Sequence, residues 1–422
     1  MVSASRGGAS AYPWPHAARH VLPSGVRILS DRTPLPVTVV ATTYRAGFHD
    51  EHEDTIGTVH LIEHLMGRAA RKAAAEESLG MQILAESRRD YSVIGAAVAG
   101  SHLEAAMRVG VVRGEELPAD TTAIEIETAV IDREYLDLIE ARPYGLFPRF
   151  LAARHLYESI GEGGTGYAEP NSPRKHSPES VAAFFAHHYT PARTVVSVVG
   201  DPTLQQVVAA AEQRFRNALR RPPGRFELSA AKPMAGDVHV SYNRPRVPVA
   251  VALAWRLPDP GLNFLAHVDR VLTYTALFAA NGPFSRWLRM SAPGIEARAW
   301  WGAFDEPWDA RSGIGLVLEI AGDSAIHLQD VAAALRLELP DVIADLKPRD
   351  LAAAATETEL ELTRRFDRPY SRARLLGCLE TLFDGTVTWH DVWTALRSGA
   401  HDTHQLVKVV DGTGCVIMRC PG

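Results

Sequence analysis

Two histidines and a glutamate in the first half of the sequence are spaced for metal chemistry. They lie in the pentapeptide His60-Leu-Ile-Glu63-His64, inside a stretch whose apolar residues recur at helical spacing. Residues i and i+4 of a helix share one face, so both imidazoles can bind one ion. A catalytic zinc ion takes three protein ligands and keeps a position for water, and Glu63 would lie beside that water as a general base.

A third ligand is expected from the later segment AIEIETAVIDREYLDL. Glu127 and Glu134 are seven residues apart there and so share a helix face. Either carboxylate could face the metal. An acidic helix face is more often solvated, and the pentapeptide itself arises by chance in about one of twenty chains of this length and composition. The residues alone therefore leave the ligand set open.

The elements around this group follow from hydrophobic periodicity. Short β-branched runs predict strands, and apolar residues at helical spacing predict helices. Strands are predicted around residues 26–30, 37–44, 83, 93 and 194–199, and helices over residues 55–75, 103–112, 124–139, 180–188 and 204–219.

The order of elements restarts after a break near the middle of the chain. The proline-rich segment of residues 220–233 interrupts the periodicity, and strands are predicted again at 238–242, 249–255, 297–301 and 315–320. A chain of 422 residues also exceeds the roughly 250–300 residues of one hydrophobic core. We expect an α+β fold of two similar α/β-sandwich halves, each a mostly antiparallel sheet covered by helices. The expected domains are residues 1–222, with the metal motif, and 223–422, without one.

Composition narrows the function further. The formal charge is −6 and lysine and arginine form no basic run, so nucleic acid is not an expected partner. No apolar stretch approaches the ~20 residues of a membrane span, and the first residues lack the apolar core of a signal peptide, so we expect a cytoplasmic protein. Cys378, Cys415 and Cys420 lack metal or disulfide spacing. The acidic run His49–Thr55 is expected to be a solvated loop.

Several segments resemble the insulinase/pitrilysin family of zinc peptidases, which includes the mitochondrial processing peptidases. They are HLIEH, LPSGVRIL before it, SRRDYSV after it, YTPARTVVSVVGD at Tyr189–Asp201, and the frame of Glu127 to Glu134. That frame is close to the family's E-x-x-V-I-x-x-E. The resemblance implies that His60, His64 and Glu134 bind one zinc ion per chain, that Glu63 is the base and that Glu127 is a nearby carboxylate that tunes the site. It also implies that an extended peptide substrate binds along the strand of Ile83, Leu84 and Ala85.

The chain departs from the family pattern at three places. The usual Asn-Ala of the substrate strand is Leu84-Ala85, and HLIEH is followed by Leu-Met-Gly-Arg instead of an aromatic-x-Gly-Thr. The family's L-R-x-x-x-G-x-x-Y segment, which holds the substrate carbonyl, keeps Arg289 but has no tyrosine, since Glu296 or Ala297 falls there. We therefore expect a heterodimer in which a related subunit supplies the Arg/Tyr pair.

Three functions follow in order of preference. The first is a zinc metalloendopeptidase subunit that processes peptides or leader segments. The second is a non-catalytic scaffold subunit of a peptidase-like complex, against which the intact HLIEH and Glu134 argue. The third is a metal hydrolase of another substrate, because zinc and water chemistry is not specific for peptides.

Overall fold

Two sheets organise the chain in its computed structural model. The structure describes residues 16–157, 164–168, 176–216, 234–243, 248–302, 304–308, 315–322, 325–399 and 401–421. Within them the strands form a six-stranded and a five-stranded sheet, both covered by helices. This confirms the expected α+β class with two sandwich halves.

The first sheet contains the strands predicted from the β-branched runs. They are β1 (Ala18–Val21), β2 (Arg27–Arg32), β3 (Val37–Tyr44), β4 (Met81–Ser87), β5 (Ser92–Ala99) and β6 (Thr194–Gly200). Their order is β1-β2-β6-β3-β5-β4, antiparallel throughout except for the parallel pair β2 and β6. Strands β3, β5 and β6 are buried along most of their length, because both faces of this sheet are covered. Strand β4 forms an edge.

Six helices are described in the first half. They are α1 (Thr58–Glu77), α2 (Leu103–Gly110), α3 (Thr121–Glu140), α4 (Arg149–Leu156), α5 (Pro178–His188) and α6 (Leu204–Arg214). Helix α1 begins later than predicted because Gly57 has a left-handed conformation (φ 81°). The predicted end of α6, at residue 219, lies outside the described residues.

The second sheet repeats the pattern of the first. Its strands are β7 (Val238–Ser241), β8 (Ala250–Arg256), β9 (Glu296–Trp301), β10 (Gly315–Ala321) and β11 (Val416–Cys420). The order β7-β11-β8-β10-β9 reproduces β2-β6-β3-β5-β4, with one parallel pair followed by antiparallel pairs. Strand β9 thus takes the edge position that β4 has in the first sheet. The predicted domain boundary, between residues 222 and 223, lies outside the described residues.

Seven helices are described in the second half. They are α7 (Phe264–Phe278), α8 (Pro283–Ser291), α9 (Ala325–Ala344), α10 (Pro348–Phe366), α11 (Pro369–Leu382), α12 (Trp389–Arg397) and α13 (His404–Gly412). None of the helices in the described ranges combines the length and apolarity needed to cross a membrane.

Each half contributes a helix to the sheet of the other. Helix α4 packs on the second sheet, and α11 covers β3 and β6 of the first. Helix α11 approaches so closely that a side chain at Gly377 would collide with Thr43. Glu380, near the end of α11, forms an ion pair with Arg27 of β2, with 3.3 Å between Oε1 and Nη1. One hydrophobic cluster, which includes Val39 and Val199 of the first half and Leu375 of the second, therefore spans both halves.

The three cysteines lie in this shared interior and in the second sheet. None of the three forms a disulfide, and all are buried. Cys378 packs in the core between α11 and the first sheet, and Cys420 ends β11. Cys415 lies just before β11, where its sulfur accepts a hydrogen bond of 3.0 Å from Arg336.

Candidate metal centre

Helix α1 has one face in the core and one at the edge of the first sheet. Leu61, Ile62 and Leu65 are fully buried in the core between α1, the sheet and α5. The side chains of His60, Glu63 and His64 lie on the adjacent face of the same turns, so they point away from that core. That face is opposite α3 and beside β4.

The two histidines converge with Glu134 of α3. The Nε2 atom of His60 is 3.5 Å from Oε2 of Glu134, and Nε2 of His64 is 3.6 Å from Oε1 of the same carboxylate. One ligand atom from each of the three residues lies within 4.8 Å of the others. The Glu134 side chain is 41% exposed, so solvent reaches this group.

Hydrogen bonds orient both imidazole rings. Nδ1 of His60 is 3.2 Å from the carbonyl oxygen of Gly166, which can only accept, so Nδ1 carries the hydrogen. Nδ1 of His64 is 3.2 Å from Oε2 of Glu127, and Arg68 donates to the other oxygen of that carboxylate at 3.2 Å. In the neutral rings, Nε2 then carries the lone pair toward Glu134.

The charges of the group depend on burial. Burial and the neighbouring His64 lower the pKa of His60 to about 4, so this ring is neutral at pH 7. Burial alone would also lower the pKa of His64, but the neighbouring carboxylates of Glu134 and Glu63 outweigh burial and raise it. His64, whose Nε2 is 3.6 Å from Oε1 of Glu134, holds the pKa of Glu134 below its usual range, so Glu134 is ionised.

This donor set fits a zinc ion. Zinc favours imidazole nitrogen and carboxylate oxygen at roughly 2.0–2.2 Å, which places neighbouring tetrahedral ligands about 3.4 Å apart. The two nitrogen to oxygen separations of 3.5 and 3.6 Å come close to that value. The carboxylate of Glu134 thus lies at a distance from both imidazole nitrogens that suits ligands of one ion.

Glu63 lies beside the group and is held by a serine. Its Oε2 is 4.0 Å from Nε2 of His60 and accepts a hydrogen bond of 2.6 Å from the hydroxyl of Ser87, the last residue of β4. Burial raises the pKa of Glu63, and the hydrogen bond from Ser87 opposes that rise. Ser87 belongs to the segment SRRDYSV, in which no local pattern indicates a contact with Glu63.

The predicted substrate residues lie in two different places. Ile83, Leu84 and Ala85 are central in β4, beside the site, and among the described residues no strand pairs with the outer side of β4. Arg289 lies in α8 of the second half, where it donates to the carbonyl of Ala280 at 3.2 Å. None of its contacts within the described ranges reaches the His–Glu group.

The short segment Thr165–Ala168, which no periodicity in the sequence predicts, closes one side of the site. Besides the Gly166 carbonyl, this segment places the ring of Tyr167 perpendicular to that of His60, with the centroids 4.8 Å apart. Gly166 has φ 81°, and a side chain there would collide with the ring of Phe48. The Gly-Thr-Gly-Tyr sequence is the one local signal of this tight segment.

The acidic run of residues 49–55 is not wholly the solvated loop that was expected. Glu51 is 1% exposed, and its Oε1 accepts a hydrogen bond of 2.8 Å from the amide of Val59 in the first turn of α1. The first amides of a helix have no partner within the helix, and a side-chain oxygen can accept a hydrogen bond from one of them. Glu51 therefore helps to fix the start of the helix that carries His60.

Comparison with known proteins agrees with this architecture. The family described as "Peptidase M16 inactive domain" matches residues 175–356, a range without the His–Glu group. An uncharacterized zinc protease of Mycobacterium leprae is 26% identical over 212 residues, which are 48% of this chain and 47% of that protein. The mitochondrial-processing peptidase subunit beta of Homo sapiens is 23% identical over 249 residues, 56% and 50% of the two chains. This chain thus matches about half the length of these curated relatives.

Solved structures share the fold over nearly the whole chain. A protease from Helicobacter pylori has a TM-score of 0.76 at 16% identity, over 96% of this chain and 99% of that one. The periplasmic protease PqqL from Escherichia coli has a TM-score of 0.66 at 15% identity, over 96% of this chain and 47% of PqqL. The resemblance to the insulinase/pitrilysin peptidases, family M16, is confirmed. Its M16 relatives include proteins named as zinc proteases, and the chain has a His–Glu group suited to a metal.

Proposed function

We propose that the chain is a zinc metalloendopeptidase subunit that holds one zinc ion with His60, His64 and Glu134. The observation that carries this proposal is the convergence of two Nε2 atoms and a carboxylate, with Glu63 beside them. The M16 relatives named as zinc proteases support the choice of metal and of reaction class.

The residues around the group have separate tasks in hydrolysis. A bound zinc ion would supply a Lewis acid that lowers the pKa of water and polarises the substrate carbonyl. The carboxylate of Glu63 accepts a proton from the attacking water and later returns it to the leaving amine. Ser87 holds that carboxylate by its 2.6 Å hydrogen bond. Glu127 fixes the ring of His64.

Substrate binding is proposed at the edge of the first sheet. An extended peptide would add to β4 along Ile83, Leu84 and Ala85, with backbone hydrogen bonds that give affinity and little side-chain selectivity. Proline in the substrate near the scissile bond removes a backbone donor and should then block cleavage. Unimpaired cleavage of such peptides would contradict strand addition.

The test of the proposed reaction is the substitution Glu63→Gln. Glutamine keeps the shape of the side chain but accepts no proton, so we expect one zinc ion per chain and a loss of peptide hydrolysis of at least about 10²-fold. The matched control is Glu125→Gln on the exposed side of α3, with wild-type zinc content and turnover. Residual activity of Glu63→Gln within tenfold of wild type would reject Glu63 as the base.

A scaffold subunit is the second candidate, because the matching family description reads "inactive domain". That match covers residues 175–356, which include the end of the first half and much of the second but none of His60, His64 and Glu134. Measuring the metal separates the candidates. A scaffold binds no stoichiometric zinc, and a hydrolase of another substrate binds zinc but cleaves no member of a peptide library.

We further propose that the working enzyme is a heterodimer with a related subunit. The second half of this chain has Glu296 and Ala297 where the family tyrosine would fall, and PqqL is about twice as long as the part this chain matches. A partner would close the site and add the Arg/Tyr pair. Purified alone, the chain should turn over slowly and gain activity with a related chain encoded nearby. Full activity of the chain alone would reject the heterodimer. A cytoplasmic location stays part of this proposal.

A further inference from the structure

Tyr167 is held beside the metal centre by its own backbone. The carbonyl of Gly166 accepts the Nδ1 hydrogen of His60, and Gly166 fits only without a side chain against Phe48. Ala168, on the other side of Tyr167, lies against Gly57 at the start of α1. Both neighbours of Tyr167 are thus fixed to the region around the motif, and its ring stands edge-on to His60.

The hydroxyl of Tyr167 is a spare hydrogen-bond donor beside the metal centre. The residue is half-buried, and within the described ranges its hydroxyl makes no hydrogen bond. Its ring stands edge-on to His60, whose Nε2 lies 3.5 Å from Glu134 and 4.0 Å from Glu63. A phenol ordinarily has a pKa of about 10, so it carries its proton at neutral pH and can donate a hydrogen bond.

We propose that the hydroxyl of Tyr167 donates a hydrogen bond to the carbonyl oxygen of the scissile peptide. The inference rests on the proposed function. The oxygen of water bonds to the carbonyl carbon, Glu63 takes the proton of that water, and the carbonyl oxygen gains negative charge. Tyr167 stabilises this charge and keeps its own proton. The carbon–nitrogen bond then breaks, and Glu63 returns the proton to the amine.

This donor would come from the same chain as the metal ligands. Edge strand β9 of the second half begins with Glu296 and Ala297, neither of which carries a phenol. Among the described residues, Tyr167 is the tyrosine whose ring contacts one of the proposed ligands. A bound substrate would thus meet one donor before any partner subunit contributes another.

The competing explanation is that the ring merely packs against His60, together with Phe150 and Tyr135. Two substitutions separate the roles. Tyr167→Phe keeps the ring and removes the hydroxyl, whereas Tyr167→Ala removes both. Tyr135→Phe is the matched control, because Tyr135 is 5% exposed and its ring lies 6.1 Å from that of Tyr167.

The experiment compares these variants in zinc content, in kcat and KM for a peptide substrate, and in affinity for an alanine phosphinic pseudotetrapeptide. The pseudopeptide carries an anionic oxygen in place of the developing charge, and calorimetry measures its binding without turnover. For Tyr167→Phe we expect one zinc ion, an unchanged KM, and losses of about 10²-fold in kcat and in phosphinic affinity, typical of one lost donor. Tyr135→Phe should match wild type.

The outcomes distinguish the inference from the proposed function. If Tyr167→Phe matches wild type within threefold in kcat and phosphinic affinity while Tyr167→Ala loses zinc, the hydroxyl has no role and the inference is wrong. If the wild type binds zinc and the phosphinic peptide but cleaves no peptide, the peptidase proposal fails. The ratio of the phosphinic affinities of wild type and Tyr167→Phe then still shows whether the hydroxyl binds an anionic oxygen. If the wild type binds no zinc, both fail.

Discussion

Each half has a buried histidine in the helix after its central strand, α1 after β3 and α7 after β8. The two rings differ in the partner of their Nε2 atom. His60 of α1, 7% exposed, directs Nε2 toward Glu134 at 3.5 Å. His267 of α7, 1% exposed, has Nε2 3.0 Å from the carbonyl oxygen of Pro307. Its ring packs between Trp308 and Phe383. The first nitrogen is available to a ligand, and the second is used by the backbone.

The difference shows that burial of a histidine does not make it a ligand. In the first half, the carbonyl of Gly166 accepts the hydrogen of Nδ1 of His60, so Nε2 stays available on the side of Glu134. In the second half, Nε2 of His267 already bonds to the carbonyl oxygen of Pro307 inside the core. Within the described residues, His60, His64 and Glu134 form the one group of histidines, cysteines and carboxylates close enough to hold a metal ion.

The largest effect is expected from exchanging the two histidines for alanine. His60→Ala should abolish zinc binding and lower peptide turnover by more than about 10³-fold, because the ion that acidifies water is lost. His267→Ala should keep zinc and turnover but lower Tm by several degrees, since it removes a buried donor worth roughly 1–3 kcal/mol. Zinc loss in His267→Ala would break the comparison. Mass spectrometry measures the zinc content of both variants, and thermal unfolding measures their Tm.

The next effect separates the two carboxylates of α3. Glu134→Ala should lose both metal and activity, whereas Glu127→Ala should weaken zinc affinity by about 10- to 100-fold, because Glu127 touches His64 but not the proposed ion. A competitive chelator titration gives the two affinities. A larger loss for Glu127 than for Glu134 would mean that the ligand has been assigned wrongly.

The two edge strands provide a third comparison. Strand β4 ends at Ser87, which donates to Glu63, whereas β9 ends at Trp301, which is buried in the second core. Ser87→Ala should lower kcat roughly tenfold with zinc retained, because the base loses the group that orients it. Ser87→Thr keeps the hydroxyl and should restore most of the rate. An unchanged kcat in Ser87→Ala would show that Glu63 needs no such support.

The smallest effect concerns how the two helices begin. Helix α7 is capped by Asn263, which accepts from the amide of Ala266 at 3.2 Å, while α1 receives the buried carboxylate of Glu51. Burial raises the pKa of Glu51 to about 8. The stability it contributes is therefore full below the unfolded pKa, near 4.5, and is lost as pH rises through about 8.

Glu51→Gln cannot ionise, so its Tm relative to wild type should rise by a few degrees between pH 5 and pH 9. The exposed neighbour Glu53 serves as the control, since Glu53→Gln should show no such trend. A constant Tm difference across this range would mean that Glu51 is ionised in the folded protein. Thermal unfolding followed by circular dichroism makes the measurement.

The sequence predicts those parts of the site that depend on local periodicity. HLIEH and the face of Glu127 and Glu134 follow from helical spacing, and the strands follow from β-branched runs. The contact of His60 with Gly166 joins residues 106 positions apart in a segment without periodicity, so no local pattern indicates it. Helix α11 is buried at every residue from Ala373 to Leu382. An all-round buried helix has no polar face to show which sheet it covers.

The position of α11 in the chain also matters during synthesis. Strand β6 completes the first sheet at Gly200, but the helix that covers its second face ends at Leu382. A ribosome that adds 5–20 residues per second needs roughly 10–35 s for the intervening chain. Through that interval the first sheet keeps one apolar face uncovered, which is the kind of surface that chaperones bind. The first half is covered on both faces only once α11 has been synthesised.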